Sequence, residues 1–444
     1  MPFRFFQKRD LFLLPGLGIF VFSLTVFIVC QRSADKFSPG HPKKVVILCT
    51  SWANDEWLIR NLADAYNREH HDHQIVIELR QPPLAKLRFL KRKGRMIWNG
   101  MVGNAPFLDM ARNANSKLTQ PMEPYIRKSK VRGADKVFTD MIPSILEDNS
   151  YQGQLYSLPG GIDLTCITYR ADYLAEVGYQ QFPETWAEVS KAAQKVMEKK
   201  RDEKVFGIGF TVKEIWHGVA ALQQSFTTKP FTSDGLLDIT GEAWLKAMRL
   251  EKSWIDAGLC PRSIWETWEV VDTFRKGKLA ILIHQNSTAS WARQMQELGV
   301  RPEDVKLARF PTDGGGKGTV FWTSCFDLLD GAPYPQETVD FILWAFGPEG
   351  DKGNRNIFRA GKLTGYRSAY KRFVKNKGEF AWAKDLYGFI EESVPAPKNT
   401  FYELQNDIIV PWLRRYLVGK TGALEAMEKA RAEIEWEIAR MQRK

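Results

Sequence analysis

The chain has 444 residues, more than a single hydrophobic core normally supports, so we expect two lobes. Hydrophobic residues make up 44% of the chain and aromatic residues 12%, which is enough to fill two cores and excludes a disordered protein. The formal net charge of +11 permits an anionic partner, but basic residues are mixed with acidic ones and no nucleic-acid-binding motif accompanies them. The composition therefore predicts a globular protein with no nucleic-acid partner.

The densest basic run lies at residues 86–95, KLRFLKRKGR, where apolar residues recur at near-helical spacing. We interpret this run as the solvated face of a helix. Contact of that face with acidic lipid head groups or a cell-surface polymer is left open.

Five cysteines are far apart in the chain: Cys30, Cys49, Cys166, Cys260 and Cys325. No Cys-x-x-Cys pair occurs, so the sequence predicts neither a zinc site nor a redox motif and implies no disulfide framework. The histidine cluster EHHDH, residues 69–73, lies in a predicted turn without a distant third ligand. We therefore expect no metal ion and no cofactor.

The N-terminal region carries the signals of a membrane segment. Arg4, Lys8 and Arg9 precede an uncharged, mostly apolar run at residues 11–30, and twenty such residues suffice to span a bilayer. No Ala-x-Ala cleavage site follows, so an uncleaved anchor is the first interpretation and lipidation of Cys30 the second. Residues 1–36 are assigned to this segment and the start of a linker. Either interpretation places the body outside the cytoplasmic membrane, on its periplasmic or extracellular face.

Strands and helices alternate through the rest of the chain. The apolar run at residues 43–49 predicts a strand, residues 55–70 have helical spacing, and residues 74–79 predict a second strand. Residues 105–110, APFLDM, are predicted to end another strand. Further helices are predicted at residues 184–200, 241–257, 336–345 and 423–442. This alternation predicts an α/β fold.

The segment at residues 151–170, YQGQLYSLPGGIDLTCITYR, combines a strand, a Pro-Gly-Gly sequence and a second strand. We expect the first strand to stop at Leu158 and the second to start at Ile162, with a turn between them. Asp163 is a lone carboxylate in a strand that otherwise reads as buried, and such a group needs a partner. A buried salt bridge and a ligand hydroxyl are both candidates for that partner.

This segment, the phrase FPETWAEV at residues 182–189 and three later phrases resemble the family 1 extracellular solute-binding proteins. The later phrases are TFRKGKLAILIHQNSTASW, VKLARFPTDGGGKGTVFW and GKTGALEAMEKARAEIE, at residues 273–291, 305–322 and 419–435. The best-known members of this family bind maltose and other sugars for ATP-driven importers. The resemblance implies a type II periplasmic-binding-protein-like fold, in which hinge strands join two discontinuous α/β lobes. Residues 43–112 with 265–325 are assigned to the N-terminal lobe, and residues 113–264 with 326–444 to the C-terminal lobe.

A sugar site needs aromatic faces beside polar side chains, because sugars present flat C–H faces edged by hydroxyl groups. The chain has 15 tryptophans, and Trp52 follows the first predicted strand together with Asn54 and Asp55. Weighted by the resemblance, the residues expected to line the interlobe cleft are Trp52, Asn54, Asp55, Asp163, Asn286 and Trp322. Further ligand-binding candidates from the far lobe and the C-terminal region are Trp268, Tyr366, Arg367 and Tyr402.

No motif of a hydrolase, a phosphate-binding loop or a metalloprotease is present, and no catalytic residue is assigned. The resemblance implies a membrane-tethered binding protein, and not an enzyme, that captures a carbohydrate or polyol and delivers it to the permease subunits of an ABC importer. Two alternatives stay open. One is a ligand-sensing subunit that signals to a membrane kinase, and the other is an exported carbohydrate-active enzyme. The sequence leaves the solute and the processing of the N-terminal segment undecided.

Overall fold

The computed structural model of this protein describes residues 43–49, 56–80, 82–294, 301–376, 378–398 and 401–443. Contacts divide the chain into the unit Met1–Lys43 and the compact unit Lys44–Lys444. The predicted anchor at residues 11–30, with Cys30, lies outside the described residues. None of the helices in the described ranges is both long enough and apolar enough to cross a membrane.

The centre of the fold is a mixed sheet. The described strands are β1 (Lys43–Cys49), β2 (His73–Leu79), β3 (Gly100–Asn104), β4 (Ser150–Tyr151), β5 (Gln154–Leu155), β6 (Ser157–Arg170), β7 (Phe206–Gly209), β8 (Leu279–Gln285), β9 (Val305–Ala308) and β10 (Phe321–Leu328). The order across the main sheet is β2-β1-β3-β10-β6-β8-β7, and β9 also pairs with β6. β1 is parallel to β3, whereas β10 is antiparallel to both β3 and β6.

Helices alternate with these strands along the chain, which confirms the predicted α/β class. They are α1 (Glu56–Glu69), α2 (Leu84–Arg92), α3 (Pro106–Asn115), α4 (Glu123–Ile126), α5 (Val137–Asp140), α6 (Pro143–Asp148), α7 (Ala171–Glu176), α8 (Trp186–Lys199), α9 (Val219–Gln223), α10 (Glu242–Asp256), α11 (Thr267–Arg275), α12 (Ser287–Gln294), α13 (Pro335–Phe346), α14 (Asp351–Arg359), α15 (Arg367–Phe373), α16 (Ala383–Glu391), α17 (Tyr402–Leu417) and α18 (Ala423–Gln442). Short 3₁₀ turns, among them Ile215–His217, connect some of these elements.

β6 is one continuous strand of 14 residues, and the prediction of a turn through Pro159 and the two following glycines is wrong. Pro159 lies opposite Cys325 beside an irregularity in β10, a place where a sheet tolerates a missing N–H donor. A Cβ on Gly160 would lie 2.8 Å from a ring carbon of Phe326. The glycine therefore serves the close approach of two strands instead of a turn.

The pairing partners of β6 change along its length. Residues 157–164 pair with β10, whereas residues 165–170 pair with β8 and β9. β8 in turn pairs with β7 in parallel. The predicted division assigns residues 265–325 to the lobe of residues 43–112, but β8 pairs with strands that the division gives to the other lobe. The pairing thus differs from the division at β8, and the lobe boundaries stay a prediction.

Local signals explain where several helices begin and end. Thr185 accepts a hydrogen bond from the Glu188 N–H and so caps the start of α8, as its Pro-Glu-Thr-Trp sequence indicates. Residues 105–110 do not end a strand as predicted. β3 ends at Asn104, and Pro106 begins α3, because proline suits the first helical position, where no N–H is needed.

Candidate functional site

Asp163 and Trp322 face each other in the middle of the sheet. They occupy opposite positions of the antiparallel pair β6–β10, so their side chains leave the same face of the sheet. Asp163 is only 4% exposed. Its Oδ2 lies 3.2 Å from Lys362 Nζ, whereas its Oδ1 has no hydrogen-bond partner among the described residues. The site thus contains a buried carboxylate oxygen that is available to a hydroxyl donor.

The ion pair between Asp163 and Lys362 confirms that this carboxylate has a buried partner. Lys362 follows α14, and the next residue, Leu363, exchanges backbone hydrogen bonds of 2.8 and 2.9 Å with Ile162 of β6. Gly361 has a φ of +79°, and a Cβ there would lie 2.4 Å from the Ser290 Cβ. A glycine is therefore required next to Lys362, and the backbone of β6 fixes the position of the lysine.

Asn286 links the same segments. Its Oδ1 accepts a hydrogen bond of 2.7 Å from the Leu164 N–H, and its Nδ2 donates one of 2.6 Å to the Gly361 carbonyl. The residue is fully buried. Because backbone groups occupy both ends of the amide, Asn286 holds the end of β8 to β6 and to the lysine segment. Its predicted contact with a ligand stays a prediction.

A row of aromatic rings leads from Trp322 to the surface. The Trp322 ring lies edge-on to His217 at 5.0 Å, His217 stacks on His284 at 4.1 Å, and His284 lies 5.6 Å from Trp268. Trp268 is 52% exposed, whereas both histidines are buried. We call these four residues the aromatic row. Trp322, at one end of the row, supplies an aromatic ring opposite Asp163, and the two buried histidines connect it to Trp268.

Burial keeps the two histidines of the aromatic row neutral. It lowers the pKa of His217 to about 3. Burial also lowers the pKa of His284 well below its ordinary value, and the neighbouring charge of His217 lowers it further. His217 Nδ1 lies 3.2 Å from the Thr165 hydroxyl, while His284 Nε2 has no partner in the described part of the chain. At neutral pH the row therefore carries no charge.

Tyr402 lies close to the aromatic row. It stacks on Trp216 with ring centroids 5.0 Å apart, and it packs in a small apolar cluster with Trp322 and Phe231. Leu108, from the helix that follows β3, packs against the same cluster. Tyr402 itself is 2% exposed. The structure thus brings Asp163, Trp268, Trp322 and Tyr402 into one neighbourhood.

Two other predicted residues have different partners. Tyr366 is buried and forms a bridge with Met141, and Arg367 Nε lies 3.5 Å from Glu391 Oε1. The described contacts of this pair do not include Asp163 or the aromatic row. Trp52, Asn54 and Asp55 lie outside the described residues, so their place in the site stays a prediction.

A second buried ion pair lies on the other side of β10. Lys398 Nζ lies 2.8 Å from Asp148 Oδ1, and the Thr323 hydroxyl donates to Asp148 Oδ2 at 2.9 Å. Both oxygens of this carboxylate therefore have partners, unlike those of Asp163. Asp148 is therefore satisfied within the chain, whereas Asp163 keeps one oxygen without a partner among the described residues.

The cavity between α2 and α3, about 340 Å³ in volume, is lined by other residues. Among them are Leu87, Asp109 and Arg112, and the last two form an ion pair with each other. No predicted ligand-binding residue lines it. The described residues also contain no group of three histidine, cysteine or acidic side chains that could hold a metal ion.

Sequence reasoning missed Lys362, Trp216 and the two histidines. The only local signal for Lys362 is the glycine before it, which marks the end of a helix but not a partner in β6. His284 lies within the phrase that resembles the solute-binding family, and a lone histidine in an otherwise apolar strand could have drawn attention to it. Nothing in the sequence around His217 predicts its stacking on His284.

A protein-family model and several individual proteins match the sequence of this chain. The family model described as bacterial extracellular solute-binding protein matches residues 97–381, more than half of the chain. A protein of Deinococcus radiodurans described as an ABC transporter-binding protein is 36% identical over 73 residues, 16% of this chain and 17% of the relative. A binding protein of Brucella abortus is 28% identical over 149 residues, 33% of this chain and 34% of the relative. The matched segments thus span about a third or less of these relatives.

Solved structures share the fold over nearly the whole chain. The sugar-binding protein MalE of Xanthomonas citri superposes with a TM-score of 0.74 at 17% identity, covering 90% of this chain and 98% of that one. An ABC transporter solute-binding protein of Agrobacterium vitis with bound D-mannitol gives a TM-score of 0.67 at 17% identity, with coverage of 90% and 99%. At such identities the likeness establishes the fold. Together with the family match, it shows that this chain belongs to the bacterial extracellular solute-binding proteins, which are binding proteins and not enzymes.

Proposed function

We propose that this protein captures a carbohydrate or polyol beside Asp163 and Trp322 and delivers it to the permease subunits of an ABC importer. The observation that carries the proposal is the buried Oδ1 of Asp163, which lacks a partner among the described residues and lies opposite an aromatic ring. A hydroxyl group can donate to this oxygen while the C–H face of the same molecule packs on Trp322.

The neutral aromatic row suits such a ligand. His217 and His284 are buried and uncharged, so they pack behind the Trp322 and Trp268 rings without adding a net charge beside the ligand. Proteins of similar fold have ligands of this class: D-mannitol for the protein of Agrobacterium vitis, alpha-D-tagatose for one of Thermotoga lettingae and maltose for one of T. maritima. Trp268 and Tyr402 extend the proposed site along the row.

The remaining features of the proposal concern architecture and location. Two discontinuous lobes, joined by hinge strands that include β6, would close on the ligand, and the importer would recognise the closed form. Trp52, Asn54 and Asp55 would reach the cleft from the first lobe, and Asn286, Tyr366 and Arg367 would support it. Residues 11–30 or a lipidated Cys30 would tether the body to the periplasmic or extracellular face of the cytoplasmic membrane.

A thermal-shift screen tests the proposal. Residues 37–444 would be melted with a panel of mono- and oligosaccharides, polyols, amino acids and phosphorylated polyols. A compound that binds only the folded protein stabilises it by about 2.7 kcal/mol at a hundredfold excess over its dissociation constant. We expect hits among sugars or polyols and none among amino acids. A panel in which only amino acids or only phosphorylated compounds raise the melting temperature would contradict the proposed ligand class.

A further inference from the structure

A basic surface with two exposed apolar side chains lies at the edge of the sheet where β1 begins. We propose that this surface binds anionic phospholipid head groups of the membrane that the protein faces. The proposal goes beyond solute capture, and it relies on the proposed location outside the cytoplasmic membrane. The residues concerned, which we call the basic edge, are Lys44, Lys86, Phe89, Arg92, Lys93, Arg95 and Ile97.

Helix α2 is amphipathic and presents one face of this surface. Leu87 is buried in a small core cluster, and Leu84 and Leu90 pack against that cluster. On the opposite face, Lys86, Phe89 and Lys93 follow each other at helical spacing and are exposed, Phe89 to 51%. Phe89 thus places an exposed apolar side chain between two basic ones on this face.

The end of α2 brings more basic residues to the same edge. Gly94 has a φ of +58°, and its N–H donates to the Lys91 carbonyl, so the chain turns back toward β3 at this point. Arg95 follows the turn, and Ile97 is 41% exposed. The Asn99 N–H donates to the Val46 carbonyl, and Gly100 lies opposite Ile47. The hydrogen bond at Val46 thus brings the segment that contains Ile97 toward the start of β1, where Lys44 is exposed.

The charges of the basic edge are not neutralised by neighbouring carboxylates. No ion pair joins Lys44, Lys86, Arg92, Lys93 or Arg95 to an acidic residue in the described ranges. Lys91, in contrast, is paired with Asp330 and is therefore left out of the set. The sequence from residue 80 to residue 108 contains seven basic residues and no acidic one. The surface is thus available to an anionic partner from outside the chain.

Two features favour a lipid surface over an acidic protein. Basic side chains around isolated exposed apolar ones are typical of surfaces that lie on anionic membranes, whereas the centre of a protein interface is depleted in lysine. The chain from residue 30 to residue 44 can extend to at most about 50 Å, so a tether at residues 11–30 would keep the basic edge close to the bilayer.

Lysine footprinting on the full-length chain tests the proposal. The protein would be reconstituted in lipid nanodiscs made of phosphatidylcholine alone or with one quarter phosphatidylglycerol, and treated with a neutral acetylating reagent. We expect Lys44, Lys86 and Lys93 to react several-fold more slowly in the anionic discs. Lys199 and Lys246 are exposed elsewhere on the surface and have no ion pair with a described residue, so they should react equally in both and serve as internal controls.

Charge reversal separates binding from a general effect of net charge. In Arg92→Glu/Arg95→Glu the protection of the three lysines should disappear, because each basic residue near an anionic surface contributes roughly fivefold to binding. Arg201→Glu/Arg262→Glu changes the net charge equally, at exposed arginines that form no ion pair within the described part of the chain, and should keep the protection. Thermal melts check that both variants fold.

Three outcomes would overturn the proposal. Equal labelling in neutral and anionic discs would do so, as would protection that persists in Arg92→Glu/Arg95→Glu. Protection that appears only when importer permease subunits are embedded in the discs would assign the surface to a protein partner instead. None of these outcomes bears on the solute site, because the thermal-shift screen tests that site separately.

Discussion

The ion pair between Asp163 and Lys362 allows the roles of one carboxylate in stability and in binding to be separated. Counted without their backbone atoms, the Asp163 and Lys362 side chains are 5% and 12% exposed, and their charged atoms lie 3.2 Å apart. At an effective dielectric constant of about 20, two unit charges at that distance attract each other by about 5 kcal/mol before desolvation is counted. Removal of one partner of a buried pair typically costs about 3–5 kcal/mol.

A double-mutant cycle measures this coupling. We expect Asp163→Asn and Lys362→Met each to lower the free energy of unfolding by about 3 kcal/mol, since each breaks the buried ion pair. The double variant should lose clearly less than the sum, by about 2–3 kcal/mol. Urea denaturation followed by circular dichroism gives the three values. Strictly additive losses would refute the reasoning that the two side chains depend on each other.

Ligand affinity supplies the second measurement. Asp163→Asn should weaken binding of the solute found in the thermal-shift screen by about tenfold or more, because a hydrogen bond to a charged group contributes about 1.5–3 kcal/mol. Asp148→Asn is the matched control, because it breaks a similar buried pair in which both carboxylate oxygens are already satisfied. It should destabilise the fold comparably and leave affinity unchanged. Equal affinity in wild type and Asp163→Asn would refute the placement of the site.

Three further predictions follow from the same region. Trp322→Ala should weaken ligand binding, measured by calorimetry, about tenfold or more, because it removes the aromatic face opposite Asp163. Trp322→Phe should keep part of the affinity. Unchanged affinity in both variants would contradict the stacking of the ligand on Trp322. Asn286→Ala should lower the free energy of unfolding by about 2–3 kcal/mol, because it removes the side-chain partner of the buried Leu164 N–H and of the Gly361 carbonyl. A loss below about 0.5 kcal/mol would contradict the role of Asn286 in holding β8 to β6 and to the segment of Lys362. The folded-state pKa of His217 is lowered to about 3, so the stability that its neutral form contributes is fully present above pH 6.5. This stability should be lost as the pH falls from 6.5 toward 3, by about 1.4 kcal/mol per pH unit. A His217→Gln variant whose free energy of unfolding falls equally steeply over this pH range would contradict the prediction.

The sequence predicts local elements well where a periodic pattern and an end signal agree. The strand expected at residues 43–49 and the helix expected at residues 423–442 have those bounds in the structure. Both are set by neighbouring residues alone. The Pro-Gly-Gly sequence after Leu158 misleads for the opposite reason, because its meaning depends on Phe326, which approaches from a strand much later in the chain.

The residues of the site could likewise be predicted from the sequence only where the signal is local. The burial of Asp163 and its need for a partner can be read from the apolar residues beside it, but the identity of that partner cannot. Lys362 reaches it only because Leu363 pairs with Ile162, and that pairing is a property of the whole fold. The stacking of His217 on His284 likewise joins a 3₁₀ turn to a strand that follows it at a distance. Contacts between remote segments carry most of the geometry and leave little local signal.

The place of β10 in the sheet has a consequence for the order of folding. β10 lies between β3 and β6 and pairs with both, although it follows them late in the chain. Until residues 321–328 have emerged, β3 and β6 each present an unpaired edge, and such edges attract other chains. Pairing over so long a separation is also slow. A nascent chain therefore cannot complete this sheet until most of it has been made.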